Sequence, residues 1–226
     1  MRELSAGADA VLLEFDVDPA AQAHAAHVAR ALRAAVDSGA LSPCDVVLTA
    51  HTILVEARPG AGLDELAVHR VARAAGAADV AATAAESVEV ADVLLPVVYD
   101  GADLADAAAT AGVSVETLVR THSSTLWRVQ FMGFAPGFGY LVPHPGTPVD
   151  DARLLAAVPR RDEARPAVPA GSVAVAAGYS AVYPRSSPGG WHLVGRTDAV
   201  MWDSAAQPPA LLTAGLTVRF VDRGES

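Results

Sequence analysis

The sequence predicts an α+β protein in two parts. A ferredoxin-like α+β domain is expected over residues 1–100 and a small closed β-barrel over residues 123–226, with a helical pair over 101–122 between them. Three observations predict this. Apolar residues in the first hundred positions recur with alternating helical and strand periods in the order βαββαβ. Charge is uneven, with 18 Asp and Glu against 7 Arg over residues 1–122 but 8 against 9 over 123–226, from a total formal charge of −10. The second part also holds 11 of the 15 prolines and 11 of the 18 glycines, which suits short strands between turns, whereas the Ala-rich first part suits helices.

Taken in order, residues 10–15 form an apolar run of strand length, and Pro19 opens an Ala-rich helix that reaches Asp37. Residues 45–49 and 52–56 read as two strands. Residues 63–75 read as a second helix, with Leu66, Val68 and Val71 apolar among polar neighbours, and residues 93–99 close the domain as its last strand. Residues 104–120 read as two helices joined at Gly112, with Ser114 capping the second and Val113, Val115, Leu118 and Val119 turned inward. That pair has the outline of a helix-turn-helix. A recognition helix needs donors for bases and phosphates, and this one offers only Arg120 and His122 beside Glu116, so a structural link is expected. Short β runs follow at 126–131, 172–177, 181–183, 191–194 and 216–221, the spacing of a small barrel.

Composition excludes several functions. A pI near 5.0 opposes nonspecific binding to nucleic acid or anionic membranes. The single cysteine, Cys44, cannot form an internal disulfide and reads as a small packing residue. Charges spread through the first residues leave no uninterrupted apolar segment, and a soluble cytoplasmic protein is expected. All 16 basic residues are Arg. Without Lys there is no P-loop, no Schiff-base amine, no biotinylated carrier and no Ser-Ser-Lys amidase centre.

The chemistry-bearing blocks lie in the second part. Residues 131–140 (FMGFAPGFGY) are answered by 169–172 (PAGS) and 183–197 (YPRSSPGGWHLVGRT), where aromatic rings alternate with Gly and Pro in rigid, closely approachable backbone. Of Arg160, Arg161, Arg165, Arg185 and Arg196, the sequence favours Arg165, Arg185 and Arg196 for planar capture of carboxylate or phosphate, because they lie in or beside these blocks. His192 follows Gly189-Gly190 on an expected strand and is a candidate general acid or base, with His122 the second candidate and the loop residue His144 weaker. Tyr140 and Tyr183 offer phenolic donors, and Phe134, Phe138 and Trp191 offer apolar walls. Gly137, Gly171, Gly189, Gly190 and Gly195 permit turns or close approach. Ser172 lacks a nucleophile elbow and reads as a structural hydroxyl. No spacing of His, Asp or Glu suggests a metal site.

The order of these blocks resembles the family of the 5-oxoprolinase B-type subunit, also called KipI or allophanate hydrolase subunit 1. The resemblance is weak over residues 1–90 and strong over 92–221, and it implies a cyclophilin-like form for the C-terminal barrel. It further implies a non-autonomous subunit with two partners: the A-type subunit, and a homologous C-type subunit of the KipA or allophanate hydrolase subunit 2 kind. Together they would open 5-oxoproline to glutamate at the expense of ATP with Mg2+. Phosphorylation of the lactam oxygen supplies the leaving group that a poor electrophile lacks. Family relatives imply two alternatives, an inhibitor of a histidine kinase and a carboxyltransferase-like component of allophanate or urea metabolism. Two positions depart from the family pattern. Gly139 stands where Pro is usual, and residues 177–181 (AGYSA) replace a Gly-Gly-Gln-Thr-Gly run, so that Tyr179 installs a phenol where an amide is expected.

Overall fold

The structure is a computed structural model that describes residues 1–17, 19–77 and 91–224. The chain divides into two compact units, Met1–Glu86 and Ser87–Ser226.

In the first unit the strands are β1 (Arg2–Ser5), β2 (Ala10–Glu14), β3 (Cys44–Leu48) and β4 (Thr52–Ala57), and the helices are α1 (Pro19–Asp37) and α2 (Glu65–Ala77). They form an antiparallel sheet of order β1-β2-β4-β3. Period-two burial of Val11 and Leu13 on β2 and of Ile53, Val55 and Ala57 on β4 supplies one apolar face. Ala25, Val28, Ala29, Leu32 and Ala35 of α1, at helical spacing, are buried as well, as are Val68, Ala72 and Ala75 of α2. Leu66, expected inward, is 79% exposed because it falls on the opposite side of α2 from Val68 and Ala72.

The chain order is therefore ββαββα, and the βαββαβ order read from the sequence is corrected at both ends. Every residue of β1 is exposed, so it shows no alternation and pairs only along the β2 edge. The run at 93–99 becomes β5 (Val93–Val97), which runs parallel to a strand of the second unit and buries Leu95 and Val97 there.

The second unit continues with α3 (Leu104–Thr110), α4 (Val115–Ser124), β6 (Trp127–Met132), β7 (Gly139–Pro143), α5 (Val149–Ala156), β8 (Arg165–Val168), β9 (Ser172–Ala176), β10 (Tyr179–Val182), β11 (Ser187–Gly189), β12 (His192–Arg196) and β13 (Thr217–Asp222). Its main sheet has the order β12-β9-β10-β7-β6-β13-β5. Beyond β5, Val98 and Arg196 exchange two backbone hydrogen bonds of 2.9 Å, so the first and last strands meet and the sheet is a nearly closed barrel. Gly195 makes this seam possible, since a Cβ there would lie 2.5 Å from the Val98 carbonyl oxygen. Strands β8 and β11 form a separate antiparallel pair.

Trp127, Val129, Leu141, Val173, Val175, Val182, Val218 and Phe220 form the barrel core, joined by Leu104, Ala107, Ala108 and Leu118 from α3 and α4. Ser114 caps α4 as expected, accepting from the Thr117 N–H at 3.1 Å. Val115, expected inward, is 41% exposed in the first turn of α4. Strands β7, β8 and β11 are not legible in the sequence because Gly and Pro break their periodicity, and the eight-residue helix α5 is too short to show one. Among the described residues no helix is long and apolar enough to cross a membrane.

Candidate functional site

The alternation of β9 builds the site. Val173 and Val175 face the barrel core, while Ala174 and Ala176 face the other way with Ala181 of β10 and Leu193 of β12. Of this layer Ala176 reaches the pocket, around which Phe131, Phe138, Tyr140, Tyr179, Tyr183 and Trp191 stand as walls, and the others pack in the same cluster as Phe138, Tyr183 and Trp191. The pocket has a volume of about 310 Å³. Phe131 and Tyr140 stack at 4.3 Å with an interplanar angle of 17°, and Phe138 meets Tyr140, Tyr183 and Trp191 edge to face at 5.0, 5.3 and 5.9 Å.

Phe134 stands at the rim with φ 64° and 58% exposure, edge-on to Phe138 and Tyr183. A bulky residue in the left-handed region is strained, and such strain gathers at binding sites. The same loop borders a second concavity of about 490 Å³ lined also by Trp202, Ala210 and Leu212. Gly137, at φ 82°, lets the two loops touch, for a Cβ there would lie 2.9 Å from that of Trp202.

Arg160 is the cation of the pocket lining. Burial pushes the phenols of Tyr140, Tyr179 and Tyr183 up, and Arg160 partly offsets this at Tyr140 and Tyr183. All three are therefore neutral donors near pH 7. Tyr179 donates to Gln130 Oε1 at 3.1 Å. Among the described residues the lining contains no carboxylate, imidazole or thiol. The pocket can clasp a flat, partly polar anion, but it holds no group suited to proton transfer near neutrality.

Of the sequence candidates, Phe134, Phe138, Tyr140, Tyr183 and Trp191 come together here. His192 does not. It pairs across the ladder with Val175, on the core side of the sheet, whereas its neighbours Trp191 and Leu193 turn to the pocket. Burial pushes its imidazole down, although Asp103 draws it up.

His122 lies 1% exposed in the core, with Nδ1 2.7 Å from the Tyr99 hydroxyl and Nε2 2.9 Å from Ser180 Oγ. Burial pushes it down to about 3, so it is a neutral strut without a wet face for proton exchange. Arg165 is held by Asp103, the exposed Arg196 pairs with Asp100, and Arg185 lies exposed in the loop before β11. The guanidinium at the pocket is thus Arg160, which the sequence does not favour. The order Val158-Pro-Arg160 carries no periodic signal, and a hydrogen bond of 2.8 Å from the adjacent Arg161 N–H to the Gly190 carbonyl ties this segment beside Trp191. Phe131 is likewise a wall residue that the sequence does not single out, and Tyr179, the phenol that departs from the family pattern, lines the same pocket.

Residues 1–212 match the family described as carboxyltransferase domain, subdomain C and D. Among curated relatives, the B-type subunit of 5-oxoprolinase from Escherichia coli O157:H7 is 44% identical over 134 residues, 58% of this chain and 58% of that protein. The Bacillus subtilis (strain 168) protein of the same name is 38% identical over 130 residues, 56% of this chain and 51% of that protein. The matched segment thus spans between half and three fifths of these relatives. The crystal structure of TTHA0988 superposes with a TM-score of 0.74 at 28% identity, covering 96% of this chain and 40% of that one. The Kluyveromyces lactis urea amidolyase shares the fold at a TM-score of 0.66 and 16% identity, covering 98% of this chain and 15% of that one. The chain belongs to the carboxyltransferase domain, subdomain C and D, family.

Proposed function

We propose that the chain is a non-autonomous subunit of an ATP-dependent 5-oxoprolinase that converts 5-oxoproline, ATP and water to glutamate, ADP and phosphate. The relatives named as 5-oxoprolinase B-type subunits supply the substrate. In this chain, the observation that carries the reading is a pocket of aromatic faces, three neutral phenols and one guanidinium, with no base among its described lining residues. A flat lactam with one carboxylate fits such a lining. Arg160 takes the carboxylate, the rings cover the lactam plane, and a phenol donates to the amide oxygen as charge develops there. The groups that handle ATP, Mg2+ and the attacking water then come from the A-type and C-type subunits. Among the described residues no cluster of His, Cys, Asp or Glu is placed to hold a metal ion, and the chain lacks Lys.

Reconstitution with the A-type and C-type subunits tests this. The pure chain should show no 5-oxoproline-dependent ATP hydrolysis, and the complex should. In the complex, Arg160→Gln should raise KM at least about tenfold, the cost of one charge-assisted hydrogen-bonded contact, while Arg196→Gln should not. Turnover by the isolated chain, or an unchanged KM in Arg160→Gln, would refute the assignment.

The family match supports a second reading, transfer of a carboxyl group between carrier and acceptor. It predicts 13C-carboxyl exchange with N-carboxybiotin in the complex and no dependence on 5-oxoproline.

A further inference from the structure

A second cluster lies across β12 from the aromatic pocket. Asp103 is 2% exposed, and its Oδ1 accepts from Arg161 Nη1 at 2.6 Å and from Arg165 Nη2 at 2.5 Å, while Oδ2 accepts from the Leu193 N–H at 2.8 Å. Two guanidiniums therefore share one carboxylate. Burial pushes that carboxyl up, but the Arg165 hydrogen bond, the Leu193 N–H and the charges of both arginines outweigh it and hold it below the ordinary range.

Three polar atoms around this carboxylate are buried without a partner: Arg161 Nε, Arg165 Nη1 and His192 Nδ1. The first two belong to the guanidiniums that touch Asp103 Oδ1. The third belongs to the residue before Leu193, and His192 itself is 8% exposed. Guanidinium N–H groups only donate, and a buried donor requires an acceptor. The local charge has the same sense. Two guanidiniums, one carboxylate and a neutral imidazole leave one positive charge in excess, and Asp106, the other acid within reach of His192, is exposed and screened. The side chains of Arg161 and Arg165 are 28% and 25% exposed, which gives a small solute a way in from their outer side.

We propose that Arg161, Arg165 and His192 form a binding site for a small free monocarboxylate, held beside Asp103 and separate from the aromatic pocket. A monoanion cancels the excess charge and offers two acceptor oxygens to the two guanidinium donors and to His192, which joins them in its Nδ1–H tautomer. A dianion would place surplus negative charge against Asp103.

The site can be tested on the chain alone, without reference to the 5-oxoprolinase reading. Acetate is titrated at constant ionic strength against chloride, with the Arg161 Nε–H and His192 ring signals followed by NMR. Saturable shifts of these signals are expected, with binding about tenfold weaker in His192→Leu, as for loss of one hydrogen bond to a charged group. Binding should be unchanged in Arg153→Gln on the exposed side of α5. A second measurement needs no variant: the wild-type melting midpoint should rise with acetate and not with chloride. Shifts that do not saturate, equal affinity in His192→Leu, or tighter binding of inorganic phosphate than of acetate would each overturn the assignment.

Discussion

His122 and Ser114 show what a single residue discloses. The cap at Ser114 is legible because its partner, Thr117, is three positions away. The fate of His122 is not, because Tyr99 is 23 positions away and Ser180 is 58, and only the folded barrel brings them to its ring. Its burial has a pH consequence. The folded-state pKa of about 3 lies below the ordinary 6.5, so the unfolded state takes up a proton first as pH falls. Stability from the neutral strut is complete above pH 6.5 and falls between there and about 3, by up to about 1.4 kcal/mol per pH unit. Urea unfolding from pH 7 to pH 4 should show this slope in the wild type and a shallower one in His122→Leu. That variant should also lose about 3 kcal/mol at pH 7, where the Tyr99 and Ser180 hydroxyls are left unpaired. Equal slopes in the two proteins would mean that His122 takes up its proton alike in the folded and unfolded states, and that burial does not hold it neutral.

Legibility among the elements follows burial on one face. Strand β4 and helices α1 and α4 announce themselves by period, while β2 and β9 show as short apolar runs, β9 being buried on both faces. Strand β1 is exposed throughout and β7 opens on a buried glycine, so neither carries a period to read. Strand β5 is visible in the sequence but belongs to a different sheet from the one expected, since an apolar run does not name its partner. The seam that β5 leads into is sensitive to side-chain bulk. Gly195→Ala sets a methyl against the Val98 carbonyl and 2.9 Å from Val97 Cγ1, with no flexible tip to yield on the backbone side. A loss of about 2 kcal/mol is expected. Hydrogen exchange should quicken at the Val98 and Arg196 amides, which bond each other's carbonyls, while the β6–β7 ladder stays protected. Unchanged exchange at those two amides would show that the seam tolerates a side chain and that closure rests elsewhere.

At the scale of the whole molecule, an incomplete site and an uncovered apolar surface give the same reading. The pocket has no base among its described lining residues, and beside it Phe134 and Trp202 are 58 and 41% exposed around the concavity shared by the 132–137 and 202–213 segments. Contiguous apolar exposure of this kind marks a surface that something covers. In sequence the 131–140 block reads as one run of aromatic rings between Gly and Pro. In the fold it divides, with Phe138 in the pocket wall at 2% exposure and Phe134 outward. Under the proposed function the covering surface is the barrel of the homologous C-type subunit, which would bring the missing proton-transfer groups to the rim of the pocket. Co-expression with that partner should therefore slow hydrogen exchange at 132–137 and at 202–213 and leave the Val173–Val175 core unaffected. Phe134→Ser and Trp202→Ser should each weaken association by at least about tenfold, as anchor residues do, with melting midpoints near the wild-type value. Full affinity in both variants would move the partner's footprint elsewhere and leave the aromatic pocket to work without a second barrel at its rim.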